Sequence, residues 1–174
     1  VLAGRDSERL AHLARELGCE WRAFPLSDAE AVRRGVGGAA AVLHCARPFV
    51  HTARPMAEAC IDERVHYLDL TGEVAVFEAL LAMGPAAANA GVMLLPGAGF
   101  DVVPSDCLAA HLKARLPSAT HLALGFQMLG RPSRGTSTTM AENIHRGGVV
   151  RHAGKLEAVP AAWRSRVIDF GRGP

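Results

Sequence analysis

Short apolar runs alternate with helically spaced apolar positions along the first two thirds of the chain. Val1, Leu2 and Ala3 form an apolar run that stops at Gly4. Asp6 or Ser7 then caps a predicted helix, because Leu10, Leu13, Ala14 and Leu17 fall at i, i+3, i+4 and i+7, and Gly18 closes it. Residues 21–26 predict a second strand, and Ser27 or Asp28 caps a short helix through Ala31 and Val32 to Gly35. Residues 39–45 are continuously apolar around β-branched Val42, the pattern of a strand buried on both faces. Residues 52–64 predict a helix with Met56, Ala59 and Cys60 on one side and Glu58, Asp62 and Glu63 on the other. A strand at 65–70, a helix at 74–89, a strand at 91–95 and a helix at 105–116 follow.

Strand and helix alternating over short connections predict an α/β fold, a parallel sheet with helices on both faces. Such sheets bind ligands outside the carboxyl ends of their strands. The loops that matter are therefore Gly4-Arg5, Ser27-Asp28, 46–49, 71–73 and 96–101. The alternation stops near residue 117. Residues 120–128 then read as a longer alternating strand suited to a mixed or antiparallel sheet. A helix-like segment at 139–144 and a polar, hairpin-like stretch complete the chain.

Composition narrows the class. Of 174 residues 49% are hydrophobic, and 19 basic against 17 acidic residues leave a formal charge of +2. That balance excludes a disordered chain and a strongly basic nucleic-acid binder. Aromatics are only 5%, so the core is expected to be built from small aliphatic side chains. The nearly uncharged stretch 74–100 contains Glu78, Gly84-Pro85 and Pro96-Gly97, which break a spanning helix of roughly 20 residues. The amino terminus has neither an initiator Met nor a basic region before an apolar one, so it reads as a chain entered in mid-fold, not as a signal peptide. Four cysteines without a CxxC pair point away from a disulfide framework or zinc site and towards a reducing cytoplasm. The eight histidines are scattered, and no metal site is expected.

Two segments loosely match a dinucleotide-binding glycine loop. Residues 35–40 satisfy G-x-G-x-x-A, but they precede a strand, whereas a phosphate loop follows one and opens a helix. Residues 97–102 do follow a strand and precede a helix. Val102 replaces their third glycine, however, and Asp101 would bring negative charge towards a pyrophosphate, so a sharp turn is the better reading. A dinucleotide-binding sheet would then have its first strand and glycine turn upstream of Val1, on the order of 30 residues. Arg5 fits that placement. The residue ending the second strand reads the adenosine ribose, and an arginine there pairs the 2′-phosphate of NADP where an acid would select NAD. The alternative is that Arg5 covers the helix behind it.

With those loops in view the chain resembles the saccharopine dehydrogenase-like oxidoreductases, in particular their trans-acting enoyl reductase branch. The resemblance rests on Leu2-Ala3-Gly4-Arg5-Asp6, Cys45-Ala46-Arg47-Pro48-Phe49 and residues 66–73 (HYLDLTGE). It continues through residues 95–106 (LPGAGFDVVPSD) and Ser133-Arg134-Gly135-Thr136. It implies a Rossmann-like NAD(P)-binding domain at 1–103 that lacks its first βα unit. It also implies the beginning of a second α+β substrate or dimerisation domain at 104–174, with both ends of the protein missing. The implied reaction is hydride transfer to a C=C (enoyl) or C=N bond, with NADP, or NAD as the alternative. A small-molecule substrate, a lipid or acyl chain among the options, and a homodimer belong to the same expectation; nucleic acid does not. The fragment itself is expected to be inactive.

One departure concerns the loop after the 39–45 strand. The family usually shows Asn-Cys-Ala-Gly-Pro-Phe, and this chain has His44-Cys45-Ala46-Arg47-Pro48-Phe49, so Arg47 would either pair a phosphate or obstruct the site. The expected cofactor contacts are Gly4, Arg5, Ser27, Asp28, Cys45, Ala46, Arg47, Pro48, Thr71 and Gly72. Asp101 and Ser105, at the domain junction, are the candidate catalytic residues. Glu73 is expected to cap the following helix and is also placed to orient a ligand, while Asp69 reads as a hydrogen-bonded structural carboxylate. Tyr67 reads as a sheet-face residue, since no lysine lies at helical spacing to lower its pKa. Ser133-Arg134-Gly135-Thr136 either binds an anionic substrate or forms a surface turn. The competing reading of the whole is a non-enzymatic Rossmann-like scaffold that holds no nucleotide.

Overall fold

The computed structural model describes residues 1–100, 102–127, 130–131, 137, 141 and 147–171. Packing divides the chain into two units, Val1–Ala119 and Thr120–Pro174.

The first unit begins with strand β1 (Leu2–Gly4), helix α1 (Ser7–Leu17), β2 (Trp21–Ala23) and α2 (Ala29–Val36). It continues with β3 (Ala41–His44), α3 (Phe49–Asp62), β4 (His66–Asp69), α4 (Val74–Ala82), α5 (Gly84–Ala90), β5 (Leu94–Leu95) and α6 (Val103–Arg115). The helix starts are chemically specified: the Asp6 carboxylate accepts from the Arg9 amide, and that of Asp28 from the Ala31 amide. Gly18 closes α1 in the left-handed region at φ 62°. The predicted helix at 74–89 is instead two helices that break at Met83, because Pro85 sits in the first turn of α5 and donates no amide back into α4. Helix α6 starts earlier than expected, after Val102, and neither Ser105 nor Asp106 caps it; the Ser105 hydroxyl donates to the Val102 carbonyl instead.

All pairings in this unit are parallel, in two separate sheets. One holds β1 and β2, the other β3, β4 and β5 in that order. Among the described residues, the edge of β1 away from β2 and the edge of β3 away from β4 carry no ladder. Residues 35–40 do form a helix-to-strand connection, as their position before a strand requires. Gly35 is there for packing: a Cβ would run into the Phe24 ring that lies on α2.

The core lies on one face of the three-stranded sheet. Phe24, Val32, Val36, Phe49, Met56 and Leu80 from α2, α3, α4 and the end of β2 pack with Tyr67 of β4. Burial of each large apolar side chain contributes about 1.5–3 kcal/mol. The other face presents the cross-strand row Leu43, Leu68 and Leu95, of which Leu43 is 59% and Leu95 44% exposed. Among the described residues no helix is long and apolar enough to cross a membrane, and the breaks predicted within 74–100 are present.

In the second unit, β6 (Gly148–His152) and β7 (Lys155–Val159) form an antiparallel hairpin, as its polar, turn-rich sequence predicts. Its two-residue turn, Ala153-Gly154, has both φ values positive, at 48° and 81°, the hand that matches strand twist. The strand expected at 120–128 is not formed over 120–127, where Leu122, Leu124 and Phe126 are exposed and no ladder among the described residues pairs them. Alternation states which face a residue would take, but it does not supply a partner strand. The helix-like segment at 139–144 falls largely outside the described residues.

Candidate functional site

Parallel pairing brings the carboxyl ends of β3, β4 and β5 together, since His44 is in register with Asp69 and Leu68 with Leu95. The loops that follow, 45–48, 70–73 and 96–100, therefore share one rim, where such sheets take their ligands. Buried polar side chains hold each loop from below.

His44, 3% exposed, ends β3. Its Nε2 lies 3.0 Å from Thr52 Oγ1 on α3, and that hydroxyl has two carbonyl acceptors, Ala46 at 2.6 Å and Pro48 at 3.1 Å. A hydroxyl has one proton, here directed at a carbonyl, so the histidine must be the donor and carries its proton on Nε2. Desolvation pushes the His44 pKa down, against a smaller upward pull from Asp69, and so keeps the ring neutral. His44 also meets Phe49 edge-on, ring centroids 5.6 Å apart. Above it Cys45, Ala46 and Arg47 are exposed and Pro48 is half-buried. Burial of the Cys45 sulfur pushes its thiol up, so it is no ready nucleophile. The Arg47 guanidinium lies 5.7 Å from the centroid of the Phe49 ring, within cation–π range.

Asp69, fully buried at the end of β4, serves the other two loops. One oxygen, Oδ1, accepts from the Thr71 amide at 2.9 Å and the Gly97 amide at 2.8 Å. The other, Oδ2, accepts the Tyr67 hydroxyl at 2.7 Å, and the Asp69 carbonyl takes the Ala98 amide at 2.7 Å. The structural reading of Asp69 and the sheet-face reading of Tyr67 are therefore correct. Burial foremost, then Asp69, pushes the Tyr67 phenol far above its ordinary range, which removes it as a proton donor near neutral pH. The 96–100 loop is also tightly seated. Gly97 has φ 74° and a Cβ there would lie 2.7 Å from Phe77, while one at Gly99 would lie 3.1 Å from Leu70.

Of the expected contacts in this region, Thr71 is buried, and its hydroxyl accepts the Glu73 amide at 3.2 Å; Gly72 is exposed. Glu73 occupies the N-cap position of α4 without a side-chain cap hydrogen bond. Ser105 is half-buried in the first turn of α6. Asp101 and Ser133-Arg134-Gly135-Thr136 lie outside the described residues.

The remaining contacts end the strands of the other sheet. Gly4 is half-buried, Arg5 is exposed after β1, and Ser27 and Asp28 are exposed after β2. Asp28 is already engaged as the cap of α2. Arg5, by contrast, has no hydrogen bond or ion pair among the described residues, whereas Arg22 caps the end of α2 through the carbonyls of Gly35 and Gly37. Sequence reasoning did not find the His44–Thr52 pair. Its only trace was a histidine closing an apolar run eight residues before a threonine in a helix.

No group of three or more His, Cys, Asp or Glu among the described residues is placed to hold a metal. The two rims thus differ: an exposed cation, Arg5, stands beyond β1, and loops bonded to side chains beneath them lie beyond β3–β5. The chain is 33% identical over 122 residues to the trans-acting enoyl reductase of Mycobacterium leprae, a match covering 67% of this chain and 29% of the relative. It is 29% identical over 120 residues to a saccharopine dehydrogenase-like oxidoreductase of Arabidopsis thaliana, covering 61% of this chain and 25% of that one. The chain thus spans between a quarter and a third of the length of these curated relatives. Among solved structures, apo saccharopine dehydrogenase (L-Glu forming) from Saccharomyces cerevisiae superposes with a TM-score of 0.55 at 14% identity. That match covers 66% of this chain and 25% of the yeast enzyme, and it shows a shared fold. The family model for the saccharopine dehydrogenase NADP binding domain matches residues 1–95, more than half of the chain, and the chain belongs to that family of NADP-binding oxidoreductase domains.

Proposed function

We propose that the whole protein is an NADP-dependent oxidoreductase that delivers hydride to the C=C bond of an enoyl substrate or to a C=N bond. Similarity to trans-acting enoyl reductases favours the first and a lipid or acyl substrate. The single observation that carries the cofactor assignment is Arg5, an exposed guanidinium without a partner among the described residues, placed between the carboxyl end of β1 and the start of α1. A 2′-phosphate is the ligand that position fits: a guanidinium pairs it bidentately, and the helix amino end adds a favourable field. Gly4 gives the approach, and Ser27 and Asp28 border it from β2. Cys45, Ala46, Arg47, Pro48, Thr71 and Gly72 line the other rim, where the nicotinamide end would lie. NADPH, when bound, supplies the hydride; the residues of this chain bind, orient and exclude water. Asp101 and Ser105 are proposed to face the substrate.

The same proposal gives the functional domains their boundary near residue 103 and joins the two sheets into one. The open edges of β1 and β3, together with the bare row Leu43, Leu68 and Leu95, support one further parallel strand between them and a helix over the leucines. The phosphate-binding glycine turn would follow that strand. The four free cysteines fit a reducing compartment such as the cytoplasm.

The test is Arg5→Ala in the whole protein, with NADPH and NADH titrated by nicotinamide fluorescence. NADPH affinity is expected to fall at least about tenfold more than NADH affinity, the loss of one charge-assisted phosphate pair. Equal losses remove Arg5 from the 2′-phosphate role, and no binding of either nucleotide to the unsubstituted protein leaves the scaffold reading.

A further inference from the structure

We propose that Asp69 is a positioning residue: its carboxylate couples the loop after β4 to the loop after β5, so that one side chain sets both walls of the rim. The proposal rests on the cofactor reading only for what that rim holds. Its geometry stands without it. The amides of Thr71 and Gly97 belong to different loops, 26 residues apart in sequence, yet both converge on the single atom Asp69 Oδ1, at 2.9 and 2.8 Å. A carboxyl oxygen has two lone pairs, and here both are used, one for each loop. The second oxygen is held by the Tyr67 hydroxyl at 2.7 Å, so the carboxyl plane cannot turn to release either amide without breaking a third bond.

Other arrangements would satisfy these amides without coupling them; two separate carbonyl or water acceptors would suffice. Sharing one oxygen means that a displacement of the Gly97 loop pulls on the Thr71 loop. The surroundings confine what motion remains. Asp69 is without solvent exposure, its own carbonyl receives the Ala98 amide at 2.7 Å, Gly97 sits against Phe77 at a distance that leaves no room for a Cβ, and Gly99 packs closely on Leu70. Thr71 then passes the constraint on, since its hydroxyl accepts the Glu73 amide and so fixes the entry into α4. Tyr67, with no chemistry of its own, acts here as the brace of the carboxylate.

Amide hydrogen exchange and amide proton shifts, read by NMR on this chain without nucleotide, test the coupling. The Val65 amide, bonded to the Cys60 carbonyl at 2.8 Å, serves as an internal reference in the same core. Asp69→Ala is expected to speed exchange at Thr71 and Gly97 together, by about tenfold or more relative to Val65, a factor that corresponds to a hydrogen bond to a charged group. Tyr67→Phe should raise both by a smaller, equal factor. Asp69→Asn is the conservative rescue. Its amide oxygen can still take both N–H groups while the Tyr67 hydroxyl turns to accept from the new NH2, so protection is retained and both amide proton signals move upfield as the charge is lost. Should Asp69→Ala not fold, Asp69→Asn and Tyr67→Phe carry the test alone. Exchange at Thr71 and Gly97 that follows Val65 in Asp69→Ala, or signals of the two amides that fail to move together in Asp69→Asn, would overturn the proposal. Nucleotide takes no part in this measurement, so its result is separate from that of the Arg5 titration.

Discussion

The two sheets of the first unit end in rims of opposite construction. Beyond β3, β4 and β5 the loops rest on buried groups, with His44, Thr52, Tyr67 and Asp69 bonded beneath them. Beyond β1 and β2 Arg5, Ser27 and Asp28 are exposed, and the side-chain bonds that shape the loops are local caps, Asp6 to Arg9 and Asp28 to Ala31. On the proposed function, the difference separates two tasks of a cofactor site. Recognising a phosphate needs charge at the surface, where a long side chain can reach and adjust. Orienting a reacting ring needs fixed backbone, and fixed backbone needs support from below.

That contrast can be broken most severely from the core beneath the rigid rim. Phe49→Ala removes a ring that is 1% exposed and packs edge-on against His44, and it should cost about 3–5 kcal/mol in urea unfolding. Thr52→Val comes next. It keeps the shape but takes away the acceptor of His44 and the donor to Ala46, and about 1–3 kcal/mol should be lost, with exchange rising in the 45–48 loop. A loss below about 0.5 kcal/mol would show that the rim is no more braced than an ordinary surface loop. At the other rim, Asp28→Ala should cost about 0.5–2 kcal/mol through α2 alone and leave the 45–48 and 70–73 amides unmoved. The gentlest perturbation is pH. Folding holds the His44 pKa below its ordinary value near 6.5, so the neutral ring stabilises the fold above that value. As the pH falls below about 6.5 that contribution is progressively lost, down to the lowered pKa of the folded state. His44→Gln should flatten the corresponding slope in a plot of unfolding free energy against pH.

Much of the frame was legible in the chain itself. Helix α1 was fully specified by its apolar spacing, Asp6 and Gly18, and the succession of strands and helices along the first unit followed from alternation. Local chemistry was enough there. It was not enough at 74–90, where Pro85 divides what apolar spacing alone joins, nor at 120–127, where alternation had no pairing strand to act on. At the site, the exposed loops were legible because their place at strand ends is a matter of topology. Their supports were not. Asp69 was readable as a bonded carboxylate, but its bond to Gly97 spans 28 residues, and no pattern within a strand or helix encodes a partner at that distance.

The His44–Thr52 bond also constrains inheritance. Loss of the Thr52 hydroxyl alone leaves the buried His44 N–H without its acceptor, so position 52 is expected to change only together with position 44 among descendants of this chain. Asn, usual in the family at position 44, also offers an N–H to a hydroxyl, and it marks the substitution that could pass while Thr52 stays. Sequence change at position 52 is therefore tied to position 44, while Arg5, exposed and without a hydrogen bond or ion pair among the described residues, carries no such tie.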